Sequence, residues 1–136
     1  MLFIGSRAES KKELRKVLGY EDAELSDENI TQSFKSVIDL FGNQSKVKPY
    51  QFSLANRILA QNDFPILDEY KLNLRDYFNA DIILVDFNRE GEKATNEVND
   101  WVKKQTKNKI EKLFEEPLDP RTKLILLNAV YFKGNN

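Results

Sequence analysis

The chain has 136 residues, 40% hydrophobic and 32% charged, with a net charge of -1. That is one domain's worth of globular sequence, and near-neutral charge points to neither nucleic acid nor a membrane surface as a partner. With no cysteine and no histidine, thiol nucleophiles, disulfides and the common zinc sites are excluded, a serine hydrolase would lack its base, and no cofactor is expected.

No stretch approaches the roughly 18 apolar residues of a membrane helix. Met1-Leu2-Phe3-Ile4-Gly5 is too short for a signal-peptide core and has no basic residue before it. It reads as the end of a buried helix, which makes Met1 either an internal methionine or a misplaced start.

Ser10 and Glu13 have capping-box spacing, and Leu14, Val17 and Leu18 follow at helical intervals before Gly19. This predicts a short surface helix. A second helix is predicted to open at Ser26, with Asp27 and Glu28 at the positive end of its dipole. Ile30, Phe34, Val37, Ile38 and Phe41 form its apolar stripe, and Gly42 ends it. After Pro49 the period changes to two over residues 52–59, predicting a strand with an imperfect polar face. Pro65 and Asp68 introduce a third helix with Tyr70, Leu74, Tyr77 and Phe78 inward. The β-branched run at 82–85 predicts a buried strand.

Gly91 precedes a long amphipathic helix with Ala94, Val98, Trp101 and Val102 on one face, continuing to Ile110. Asp100 is spaced to pair with Lys104 on its exposed side. Pro117 and Pro120 break the chain into a loop. Residues 124–132 are apolar except for Asn128, as expected of a central strand covered on both faces. This order of elements allows a small α/β or an α+β domain.

Asn128 is the polar residue to weigh. A buried amide left unpaired costs about 1–3 kcal/mol, so it should have a specific partner, for instance as a cap on a neighbouring element. Trp101 on a helical apolar face reads as core. Glu115, Glu116 and Asp119 read as a solvated turn, and the lysine pairs at 11–12 and 103–104 as exposed helix faces. Asn29-Ile30-Thr31 and Asn43-Gln44-Ser45 match the N-glycosylation pattern, with Asn43 in the more accessible setting. The two triplets favour an extracellular, secreted protein, although an intracellular one stays open.

The last third carries an ordered set of blocks: Val98-Asn99-Asp100-Trp101-Val102-Lys103-Lys104-Gln105-Thr106, Lys109-Ile110, Leu118-Asp119-Pro120-Arg121-Thr122-Lys123-Leu124 and Leu127-Asn128-Ala129-Val130-Tyr131-Phe132-Lys133-Gly134. Together these closely resemble helix F and the third strand of sheet A in serpins, the serine protease inhibitors. Met1 to Ala8 is similar to the end of serpin helix B, and the next two helices to C and D. Leu54-Ala55-Asn56-Arg57-Ile58 is similar to the second strand of sheet A, and Tyr70 to Phe78 to helix E.

The resemblance implies an α+β fold, with helices packed on part of a large mixed sheet, and a partial serpin domain over 1–136. The segment before the end of helix B would be missing, and the reactive loop with its hinge would lie beyond Asn136. It implies a mechanical inhibitor rather than an enzyme. A serine protease cleaves the exposed loop, which then inserts into sheet A and distorts the acyl-bound enzyme. Asn128 would sit in the shutter where the central strands part, and Trp101 would anchor the helix lying across the sheet. Thr106 and Lys109 match the family pattern without an assigned chemistry. Asn136 stands where the family has tryptophan. Alone, the chain is expected to inhibit nothing and to self-associate through its last strand. The alternative is a non-inhibitory serpin serving as carrier, chaperone or storage protein.

Overall fold

The computed structural model describes residues 1–42 and 50–134. Its elements are α1 (Leu2–Gly5), α2 (Ala8–Val17), α3 (Asp27–Gly42), β1 (Tyr50–Gln61), α4 (Asp68–Phe78), β2 (Ala80–Val85), α5 (Gly91–Gln105) and β3 (Leu124–Gly134). The fold is α+β, as expected. The three strands form a mixed sheet in the order β2-β1-β3. β1 runs parallel to β2, with Arg57 opposite Asp81, and antiparallel to β3, with Asn56 opposite Asn128.

Because strand side chains alternate, each face of the sheet builds its own core. Ile58, Ala80, Ile82, Leu124 and Leu126 point to one face, where Phe3 and Ile4 of α1, Ile30 of α3 and Leu74 and Phe78 of α4 cover them. Ala55, Leu59, Val85, Leu127 and Ala129 point to the other, where Ala94, Val98, Trp101 and Val102 of α5 pack.

Several boundaries follow the predicted chemistry. Gly19 is at φ +72°, donates to the Lys16 carbonyl, and is followed by Tyr20 donating to the Arg15 carbonyl. This is the Schellman closure that Gly19 suggested. The Ser26 Oγ accepts the Asn29 N–H at 3.1 Å, capping α3. Asp27 receives Lys11 and Arg15 from α2, and its carboxyl is held below the ordinary range chiefly by the Lys11 hydrogen bond.

Others differ. The Ser10–Glu13 box does not open α2: the tight connection from α1 leaves Arg7 extended, and its carbonyl accepts the first helical bond from Lys11. The α3 stripe is only partly covered, since Phe34 and Val37 remain exposed while Ile30 is buried. β2 is not a buried strand. The helices cover Ala80 and Ile82 but leave Leu84 60% exposed at the sheet edge. α5 stops at Gln105 rather than Ile110, because Lys107 and Asn108 adopt left-handed conformations (φ 52° and 62°) that cannot continue a helix. Among the described residues Asp100 and Lys104 form no ion pair, and β3 stands at one edge of the three strands.

Candidate functional site

On the α4 face, the predicted partner of Asn128 is another amide. The Asn128 Nδ2–H donates to Asn56 Oδ1 at 2.8 Å across the β1–β3 ladder. Asn56 in turn donates from Nδ2 to the carbonyl of Phe78, the last residue of α4, also at 2.8 Å. Helix C-terminal carbonyls lack intrahelical partners, and this one finds its donor on the sheet. Asn56 therefore does the capping, and Asn128 fixes which way the Asn56 amide points. Asn56 is buried, whereas Asn128, expected to be buried, is exposed on β3. The link joins β3, β1 and α4 in series. The sequence reading missed Asn56, although an amide in phase with Ile58 on a core-facing strand is a usable signal.

On the other face, Trp101 packs in the α5 core, 7% exposed, as expected. Sequence reasoning overlooked Arg57 beneath it. The Arg57 guanidinium lies 5.3 Å from the Trp101 ring, donates to Asp81 of β2 at 2.7 Å and to Glu97 of α5 at 2.8 Å. A cationic side chain projecting from the middle strand of a sheet was the signal.

The segment after α5 is held along the helix by side chains that interrupt its apolar face. The Asn99 Oδ1 accepts the N–H groups of Leu113 and Phe114, while its Nδ2 donates to the Phe114 carbonyl. The Thr95 hydroxyl accepts from Leu118 N–H and donates to the Gly91 carbonyl. Thr106 donates to the Val102 carbonyl and accepts the Ile110 N–H, which gives this motif residue its structural task. A Cβ at Gly91 would stand 3.0 Å from the Leu118 carbonyl oxygen, so a larger residue there would press this segment outward by a few tenths of an ångström. At the end of the sheet, the buried Gln61 accepts the Phe87 N–H at 2.8 Å and ties the exit of β2 to β1.

Asn29 is exposed in the first turn of α3, but the Thr31 hydroxyl of its triplet is turned inward onto the Asp27 and Glu28 carbonyls. Asn43, its triplet and Asn136 lie outside the described residues. Lys109 lines a shallow groove with Thr106, Ile110 and Tyr131. Glu115 and Glu116 are exposed, and Asp119 pairs with Arg121, which lowers its carboxyl to about 2 through side-chain and backbone hydrogen bonds. Among the described residues no helix is long and apolar enough to cross a membrane. These networks tie elements together.

Comparison with known proteins matches the family described as serpin (serine protease inhibitor) over residues 1–135. The chain is 41% identical to Iripin-3 of Ixodes ricinus over 98% of its own length and 34% of that protein. It is 42% identical to intracellular coagulation inhibitor 2 of Tachypleus tridentatus, covering 99% of this chain and 33% of the relative. The chain thus spans about a third of the length of the curated relatives it matches. Emu ovalbumin (Dromaius novaehollandiae) superposes with a TM-score of 0.86 at 27% identity, over 97% of this chain and 36% of that structure.

Proposed function

Because the chain belongs to the serpin family, we propose that the protein containing it inhibits a serine protease by inserting a cleaved reactive loop into the sheet built around β1 and β3. The family is described as one of serine protease inhibitors, and the relatives matched include a coagulation inhibitor. The observation that carries the reading is the Asn128–Asn56–Phe78 link. A sheet that must admit a strand needs the strands beside the opening to move as one body. Two hydrogen bonds in series, tying β3 through β1 to the end of α4, suit that task. In this proposal Asn128 and Asn56 form the shutter, and Trp101 anchors α5 as the cover over the sheet.

The reactive bond lies outside this chain, so the 136 residues alone should not inhibit. The test is to mix the complete protein with trypsin-, chymotrypsin- and elastase-like proteases and look for covalent complexes on a denaturing gel. A complex with the complete protein and none with the 136-residue chain is the expected result. If the complete protein is only cleaved, with no complex across the panel, it is a carrier, chaperone or storage serpin instead. A complex formed by the short chain would overturn the placement of the reactive bond. An extracellular location rests on the Asn29 and Asn43 triplets. Glycosidase treatment of protein from a secretory host should lower its apparent mass, and an unchanged mass removes that support.

A further inference from the structure

We propose that Arg57 is a positioning residue that latches α5 onto the sheet. Arg57 is the only charged residue in β1, and it points into the face that α5 covers. Its side chain is only 16% exposed, yet it stays charged by pairing with two different elements: Asp81, its register partner on β2, and Glu97 on α5. The remaining contacts of α5 with the sheet are apolar, Val98, Trp101 and Val102 against Leu59, Leu127 and Ala129. Apolar contact is not directional; a guanidinium with fixed donor geometry is. The pair with Glu97 therefore sets where along the strand the helix sits.

A second observation bears on what the charge is for. The Arg57 Nε is buried and has no hydrogen-bond partner among the described residues. An unpaired buried N–H costs stability, and a near-buried ion pair is often no more stable than an apolar group of the same size. The side chain therefore adds little to global stability; what it adds is local, the hold of α5 on the sheet. Glu97 and Asp81 remain 44% and 58% exposed, so water reaches one end of each pair and can take over when the helix lifts. Beside this core α5 is bonded through Thr95, Asn99 and Thr106 to residues 110–118. Helix and following segment make one body, and Arg57 is its polar joint to β1 and β2.

Hydrogen exchange, read element by element, tests this in Arg57→Met, Arg57→Lys, Glu97→Gln and the Arg57→Met/Glu97→Gln double variant. Arg57→Met should speed exchange across 91–118 on the order of tenfold, as expected for losing charge-assisted bonds that are partly screened by solvent. The amides of α3 and α4 should keep their parental rates. Glu97→Gln, a half-exposed site that leaves the core intact, should give a smaller rise in the same segment, and the double variant no more than Arg57→Met alone. Lysine should recover part of the protection, because it keeps the charge without the fork. Parental rates in 91–118 for Arg57→Met overturn the proposal. So does equal acceleration in α3 and α4, which would make Arg57 a general stabiliser, or additive effects of the two substitutions, which would separate Arg57 from Glu97. The readout is exchange rather than inhibition, so failure here leaves the inhibitor proposal standing, and the reverse holds.

Discussion

Replacing Asn56 by alanine should cost more than replacing its exposed partner Asn128, although both changes delete an amide. Asn56→Ala removes two hydrogen bonds of 2.8 Å and strips the donor from the buried Phe78 carbonyl at the end of α4. An unpaired buried carbonyl costs about 1–3 kcal/mol, and the second bond adds about 1 kcal/mol. The expected total is about 2–4 kcal/mol. Asn128→Ala removes only the outer bond, at a position where water can donate to Asn56 in its place, for about 1 kcal/mol. Once Asn56 is gone, Asn128 has lost its bond already, so the double variant should match Asn56→Ala, with a coupling of about 1 kcal/mol. Urea unfolding at one fixed concentration, followed by fluorescence of the sole tryptophan, Trp101, measures all three. If Asn128→Ala costs as much as Asn56→Ala, or if the two effects simply add, the serial link is wrong. In the complete protein the same Asn128→Ala change should speed conversion to polymer or a latent form on warming. Parental polymerisation and inhibition would refute its shutter role.

The 136-residue chain should elute above its monomer mass, because β3 is an unpaired edge with Val130 52% and Phe132 65% exposed and lysines only at 123 and 133. Val130→Lys combined with Phe132→Lys should shift it towards monomer by light scattering, and a sharp parental monomer would refute edge pairing. Asn99→Ala removes three bonds to residues 113 and 114 and should speed tryptic cleavage at Lys109 and Lys112. Asn99→Asp keeps the acceptor and should do less; equal cleavage in parent and Asn99→Ala would show that other contacts hold the segment. The Asp119 carboxyl should titrate near 2 by NMR and return towards about 3.9 in Arg121→Ala. A depressed folded value means its contribution is present above the unfolded value and lost as pH falls from about 4 towards 2. An unchanged Asp119 titration in that variant would contradict the pairing.

Period and punctuation decided much before any folding was considered. Ser26 and Gly19 act locally, through a side chain three residues from its donor and a backbone that needs positive φ, so the end of α2 and the start of α3 were legible. The ordered blocks from Val98 to Gly134 were enough to suggest the family that comparison then matched. Ser10 and Ile110 misled because helix ends also depend on what arrives from outside: an extended Arg7 after α1, and left-handed residues after Thr106. The apolar run of β2 carried no information about its neighbours, and only the strand order puts Leu84 at an edge. Asn128 shows the same division most clearly. That it needs a partner follows from the chemistry of an amide in an apolar strand. That the partner is Asn56, 72 residues away, follows from a β1–β3 register in which those two positions face each other, and that the buried member of the pair is Asn56 follows from α4 ending over it. Arg57, Asp81 and Glu97 are likewise ordinary surface-type residues until a parallel strand and a crossing helix bring the two carboxylates to Arg57, itself beneath Trp101. Local preference acts over a few residues, whereas register and helix crossing are set by the burial of both sheet faces at once.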